Sequence, residues 1–238
     1  MRFNTPKYIS MLLRLASAAL FLAGVFAENF SKNCLSKSFR ICVVGLPKAG
    51  TSNLHEAFKR SHISSAHQVY GRKHEVLGVQ MYDAVKRGEP LALFFKRVHA
   101  FTQMDKIIDN TSYWPQLIFV PLLRAQLPCA KFILNYRNIT HHVRSINNWK
   151  NLRAEIDSAG APFLPPLASS SDARLAAWIH RHNMLTRRFF VTQPAAFLNL
   201  DIEAGVVANT KKLQRFLGVD VQLGHANSNP ALRRTAGD

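Results

Sequence analysis

Arg40-Ile41-Cys42-Val43-Val44-Gly45-Leu46-Pro47-Lys48-Ala49-Gly50-Thr51-Ser52-Asn53-Leu54 is the stretch on which the reading of this chain turns. R-I-C-V-V-G, residues 40–45, is a short apolar run entering a turn that holds Gly and Pro, which reads as a buried strand. Thr51 to Arg60 reads as the helix that follows. A strand, a glycine-bearing turn and a helix N-terminus together form the setting in which backbone N–H groups cradle a phosphate. Against the nucleotide loop G-x-x-x-x-G-K-[ST], Gly45 and Gly50 have the right separation and Ser52 fills the last position. Thr51 stands where the lysine belongs, and the lysine comes earlier, at Lys48. That shift changes which ligand oxygen the ammonium can reach.

Outward from this loop, the spacing of apolar residues predicts a helix over 74–87, stopping at Gly88. Leu91 to Phe95 or Phe101 to Met104 supplies the next strand. Trp114 to Leu127 reads as a helix with Pro115 in its first turn. K-F-I-L-N-Y, Lys131 to Tyr136, is a second strong strand, with a helix from Ile139 to Lys150 behind it. Ala159 to Ser171 reads as a loop, and Asp172 as the cap of a long helix reaching Phe190. Ala195 to Leu200 is a third strand, and Thr210 to Leu217 a helix ending at Gly218. Strands alternating with helices predict an α/β three-layer sandwich around a central parallel sheet, with ligands beyond the carboxyl ends of the strands.

A magnesium-dependent nucleotide triphosphatase commonly ends a buried strand with Asp to hold the metal. Here the Lys131–Tyr136 strand runs into Arg137, a side chain suited to a further phosphate. Ser145 follows eight residues later, about two helical turns on. The segments P-K-A-G-T-S and R-N-I-T-H-H-V-R-S resemble sulfotransferases that use 3′-phosphoadenosine 5′-phosphosulfate (PAPS). The order of elements from Ile41 to Val219 is similar to the bacterial-type and Golgi-type branch of that superfamily. The resemblance implies a P-loop NTPase-like sulfotransferase fold. It implies a 5′-phosphosulfate site at Lys48, Ala49, Gly50, Thr51, Ser52 and Asn53, and a 3′-phosphate site at Arg137 and Ser145. Lys48 would stabilise charge on the leaving phosphate oxygen. The sequence departs from the family in reading Arg-Asn-Ile after the second strand and in lacking the late R-K-G-x-x-G clamp, for which Arg233 and Arg234 are the available substitutes.

Sulfuryl transfer to a hydroxyl or amine benefits from a base beside the acceptor. Asp105, which matches an acidic position of the branch, ranks first and His99 second. His67 and His74 sit where a substrate could approach but read as surface residues, and His141 and His142 as helix-surface residues. Asp109 reads as a turn or cap. Ten His and three Cys form neither a C-x-x-C pair nor H-E-x-x-H, so no metal is expected. Cys42 reads as a buried thiol, while Cys34 and Cys129 are left able to pair.

The chain has 238 residues, enough for one sizeable core. Hydrophobic residues make up 47%, with 11 Gly and 11 Pro, which excludes collagen-like and wholly disordered classes. Lys and Arg number 31 against 14 Asp and Glu, a net +17 that favours anionic partners. PAPS accounts for part of that bias, and an acidic acceptor such as a sulfated or uronate-bearing glycan would account for more. Arg174, Arg181 and Arg188 recur every seven residues and share one helix face, read as solvated. Residues 1–33 are set apart from a single domain over 34–238. Arg2, Lys7 and Arg14 precede the apolar run Leu15 to Ala27, and there is no acid before Glu28. The segment reads as a signal peptide or signal anchor, with membrane association through residues 11–27, as a presequence, or as a surface helix. The first reading places the protein in the membrane or the Golgi-type secretory pathway; otherwise it is cytoplasmic. The expected function is sulfuryl transfer from PAPS to a carbohydrate or small metabolite. The alternatives are a catalytically impaired nucleotide-binding homologue, a P-loop kinase or NTPase, and a basic nucleic-acid-binding protein. The last lacks any zinc-finger or RNP-type signature, so no specific nucleic acid is expected.

Overall fold

The computed structural model describes residues 40–70, 75–96, 98–159 and 171–224. The signal-like segment, Cys34, His74, Arg97, most of the 159–171 loop, Arg233 and Arg234 lie outside the described residues. Strand β1 (Ile41–Val43) lies between β5 (Ala100–Gln103) and β8 (Lys131–Tyr136), parallel to both. Outside them, β2 (Ser65–His67) and β9 (Phe197–Asp201) continue the parallel order. Two short antiparallel strands, β3 (Val69–Tyr70) and β4 (Glu75–Val76), finish the β2 edge. The sheet order is β4-β3-β2-β5-β1-β8-β9. A separate hairpin pairs β6 (Lys106–Ile108) with β7 (Thr111–Tyr113). Asp109 is indeed a turn residue there: it and Asn110 take φ of +47° and +56°, as a two-residue hairpin loop requires.

Strand alternation sorts the core onto the two faces of the sheet. Ile41, Val43 and Ile133 pack with Leu54, Ala57 and Phe58 of α1 (Thr51–Arg60) and Leu213 and Leu217 of α8 (Val206–Leu217). Cys42, Val44, Phe132 and Leu134 face the other way, onto Leu77 and Met81 of α2 (Leu77–Lys86). Leu123 of α4 (Val120–Gln126), which follows the short α3 (Pro115–Ile118), packs there too. A third cluster joins Leu46 and Trp114 to α5 (Ile139–Asn147), α6 (Leu152–Ala159) and α7 (Asp172–Phe189). Helices thus cover both faces of the sheet, giving the three layers that the alternating pattern predicts. Each buried Leu, Ile or Phe contributes about 1.5–3 kcal/mol, and Phe58→Ala, at 0% exposure, would cost roughly 3–5 kcal/mol.

Several boundaries differ from the sequence reading. The predicted 114–127 helix is two helices broken at Phe119. Pro121 lacks an N–H, and its ring opposes the carbonyl of Leu117, so one continuous helix cannot form. The predicted 139–150 helix stops at Asn147, and an unexpected helix, α6, follows. Ser171, not Asp172, caps α7: its hydroxyl accepts from the Arg174 N–H, while Asp172 accepts from Asn147 and Arg153. Residues 91–96 form a 3-10 helix, so the strand alternative falls to β5. The predicted 74–87 helix begins only at Leu77, because Glu75 and Val76 pair with β3. Cys42 is buried and free, and Cys129 is disulfide-bonded.

Candidate anion-binding and transfer cleft

The loop from Val44 to Gly50 is held from behind. The Gly45 N–H donates to Asn135 Oδ1 at 3.0 Å, and Asn135 Nδ2 donates to the Ala49 carbonyl at 2.6 Å. A Cβ on Gly45 would lie 2.1 Å from that Oδ1 and 2.2 Å from the Asn135 carbonyl, so only glycine fits. His142 Nε2 donates to the Pro47 carbonyl at 2.8 Å, and His182 Nε2 to the Val44 carbonyl at 2.7 Å. Burial pushes both imidazoles down to about 4, so each is neutral with its proton on Nε2. His142 is therefore a buried brace, not the helix-surface residue expected. Gly50, with φ +81°, turns the chain into α1, whose first residues line the cleft and whose first N–H groups have no side-chain cap.

A cleft of about 590 Å³ opens at the carboxyl ends of the strands. Lys48, Gly50, Thr51, Ser52 and Asn53 line it from the loop, and Arg137, Arg144 and Ser145 from the β8–α5 element. The chain thus brings the two predicted phosphate elements together. Ala49, expected in the same site, is buried and does not line the cleft. Asn53 Oδ1 accepts from the Gly224 N–H at 3.3 Å. Lys48 adopts φ +68°, a left-handed conformation uncommon for a residue with a Cβ. Its ammonium rests 3.2 Å from the ring centroid of Trp149. Burial, then the Arg137 charge, lowers its pKa to about 8. Arg137 Nη1 reaches the Lys48 carbonyl at 3.5 Å.

Asp105 lies just beyond β5, also in the cleft wall and only 4% exposed. Gln103 Nε2 donates to its Oδ2 at 2.9 Å, and Gln116 Nε2 to its Oδ1 at 2.6 Å. Burial raises its pKa to about 6 against the opposing pull of these two amides. Thr51 Oγ1 donates to Gln103 Oε1 at 3.0 Å, so one hydrogen-bonded path links the phosphate loop to the carboxylate. His99 does not join them. It stands at the amino end of β5, where its carbonyl accepts from the Ile41 N–H and its Nδ1 meets Ser64 Oγ at 2.8 Å. The strand's direction carries it to the wrong end of the sheet.

Two imidazoles do line the cleft, His141 and His67, both of which the sequence reading left on the surface. Thr102 Oγ1 uses its only hydrogen on the Ala66 carbonyl, at 3.0 Å. His67 Nδ1 must therefore donate to Thr102 Oγ1, at 3.2 Å, which leaves Nε2 bare, 3.4 Å from Ser52 Oγ. Burial, then the neighbouring His55, lowers its pKa to about 4. The signal missed was β2 itself, a three-residue strand too short to read from its pattern.

Arg174, Arg181 and Arg188 all stay exposed on α7, as the solvated-face reading expected. Among the described residues no cluster of His, Cys, Asp or Glu is placed to hold a metal, and no helix is long and apolar enough to cross a membrane. No curated protein is a significant match to the chain. The family comparison agrees with the geometry: residues 40–155, which carry the phosphate loop, Asp105, Arg137 and Ser145, match the model of the sulfotransferase domain.

Proposed function

We propose that this protein transfers a sulfuryl group from PAPS to a hydroxyl or amine of a carbohydrate or small metabolite. One observation carries the reading. Lys48 and Arg137, from two different strand ends, line one cleft with Arg137 Nη1 3.5 Å from the Lys48 carbonyl, and burial, then the charge of Arg137, lowers the pKa of Lys48. Glu203 answers the Arg137 charge from outside the cleft, while Lys48 has no carboxylate partner among the described residues, so the cleft favours an anion. The match of residues 40–155 to the sulfotransferase domain supports sulfuryl over phosphoryl transfer. On this reading the orphan N–H groups of α1 and the hydroxyls of Thr51 and Ser52 hold the 5′-phosphosulfate. Arg137 and Ser145 hold the 3′-phosphate.

The acceptor oxygen or nitrogen attacks sulfur in line. A bond from the acceptor to sulfur forms as the bond between sulfur and the bridging phosphate oxygen breaks, and that oxygen keeps the electron pair. Lys48 leaves Trp149 to meet the charge growing there. The acceptor's proton goes to the Asp105 carboxylate, whose raised pKa of about 6 brings it nearer the working pH than an ordinary aspartate. The acidic acceptor, the secretory or membrane location and anchoring through residues 11–27 are part of the same proposal. A disulfide at Cys129 supports an oxidising compartment.

Calorimetry on the full chain tests the donor. 3′-Phosphoadenosine 5′-phosphate should bind more tightly than adenosine 5′-phosphate or Mg-ATP, and Lys48→Ala and Arg137→Ala should each weaken it. A preference for Mg-ATP would transfer the reading to a nucleotide kinase or NTPase.

A further inference from the structure

Arg137 is gripped by a residue that belongs to neither phosphate element and lies outside the stretch matched by the family model. Glu203 sits in the turn between β9 and α8. Its Oε1 accepts from Arg137 Nε at 3.0 Å and Nη2 at 2.8 Å, and lies 3.0 Å from His141 Nδ1. Its Oε2 accepts from the Asn138 N–H at 3.0 Å. Burial works against the charged form, but the Asn138 N–H, Arg137 and His141 outweigh it and hold Glu203 ionised. Arg137 and His141 line the cleft, and Glu203 does not.

The turn carrying Glu203 is itself fixed. The Ile202 N–H donates to the Tyr136 carbonyl at 2.9 Å, and the Glu203 N–H to Asp201 Oδ1 at 2.9 Å. Asn209 Nδ2 donates to the Asp201 carbonyl at 2.6 Å. The side chain of Ile202 also underlies Gly50, where a Cβ would meet it at 3.3 Å. One turn therefore touches both halves of the donor site.

We infer that Glu203 is a positioning residue that sets donor selectivity: it holds the Nε–Nη2 edge of Arg137 from outside the cleft and so aims the Nη1–Nη2 edge at the ligand's 3′-phosphate. A guanidinium presents two flat edges, each able to take an anion in bidentate fashion. With one edge tied down and Nη1 3.5 Å from the Lys48 carbonyl, the guanidinium is preorganised, and less ordering remains for binding to do. This inference rests on the proposed donor, but the hold on Arg137 can be tested without it.

The test uses the full chain labelled with 15N, with the Arg137 Nε–H resonance assigned by its loss in Arg137→Lys. In the wild type this hydrogen should be protected from exchange with water. Glu203→Ala should remove the protection, and Glu203→Gln, which keeps an oxygen at the same place, should restore part of it. Glu203→Ala should also weaken 3′-phosphoadenosine 5′-phosphate about tenfold while leaving adenosine 5′-phosphate unchanged, and should add nothing in an Arg137→Ala background. An Nε–H equally protected in wild type and Glu203→Ala overturns the inference. So does tighter bisphosphate binding in Glu203→Ala, which would make Glu203 a competitor of the phosphate. Equal weakening of both nucleotides would reduce it to a structural prop. If the wild type binds no bisphosphate, the donor reading fails and selectivity with it, whereas an Nε–H unprotected in the wild type refutes the hold itself.

Discussion

The two ends of the cleft solve opposite electrostatic problems. At one end Lys48 faces Arg137, and among the described residues no carboxylate pairs with Lys48; a tryptophan ring carries its ammonium instead. Arg137 already holds Glu203, which does not line the cleft, so a counter-charge for Lys48 has to arrive with a ligand. At the other end Asp105 is nearly sealed from water, and both of its oxygens are met by neutral amides. Its charge is carried by dipoles, and Lys106 next to it lowers the pKa least of the influences on it. One end is thus cationic and waits for an anion, while the other holds a carboxylate close to its titration point. In the proposed reaction, binding and proton removal are separated along one hydrogen-bonded path, Thr51–Gln103–Asp105.

The sharpest way to break this contrast is to remove the lysine. Lys48→Ala should lower turnover with PAPS by about 10²–10³-fold, the loss expected for a donor to a developing oxyanion. A change below about tenfold would mean that the loop N–H groups suffice without it. Asp105→Asn should lower kcat/KM by at least about 100-fold, as expected for a lost general base. The pH profile separates the two ends. Asp105 must be ionised, so activity should rise through pH about 6, and Lys48 must be charged, so it should fall above about 8. Asp105→Asn should erase the acid limb alone, and Lys48→Arg the basic limb alone. If the acid limb survives Asp105→Asn, the base is another group; a limb moved down towards pH 4 would point to His67.

Arg137→Ala should cost the bisphosphate about 10–100-fold in affinity, the value of a charge-assisted contact, and cost adenosine 5′-phosphate little. Equal losses for both ligands would place Arg137 at the 5′ end. The smallest effect concerns the braces behind the loop. His142 and His182 titrate near 4 in the folded chain, against an ordinary value of 6.5. The unfolded chain then binds more protons between those values, so their contribution to stability is full above pH 6.5 and is lost as pH falls towards 4. Asp105 runs the other way, its raised pKa disfavouring the fold as pH rises from 3.8 towards 6. The imidazoles, with His67, outnumber it. The urea midpoint should fall from pH 7 to pH 5, and His182→Gln, which keeps a donor near the Nε2 position, should make that fall shallower. An unchanged slope would rule out His182 as a source of it.

The cationic end was legible because its parts are local. Strand, loop and helix follow one another within residues 41–60, and Arg137 and Ser145 are fixed by one strand end and two helical turns. The opposite end was only half legible. Asp105 was named, but the amides that hold it were not, since Gln103 and Gln116 reach it from two elements with no shared pattern. His99 misled because its chemistry suits a base, while strand direction alone decides which end of the sheet it occupies. For His142 a usable signal existed: Ile139 and Ile146 lie three residues before and four after it, on the apolar stripe of α5. Pro121, likewise, marks the break between α3 and α4.

Sequence by itself determined the α/β layering, the phosphate loop and the arginine that follows the second strong strand, because periodicity and strand–turn–helix order are properties of neighbouring residues. It also set the net charge of +17, and with it the preference for anions. Only the tertiary structure decided which titratable groups face the cleft and in which protonation state they stand. Desolvation depends on what packs against a group, and here the partners are remote: His182 meets Val44 across 138 residues, His142 meets Pro47 across 95, and Glu203 meets Arg137 across 66.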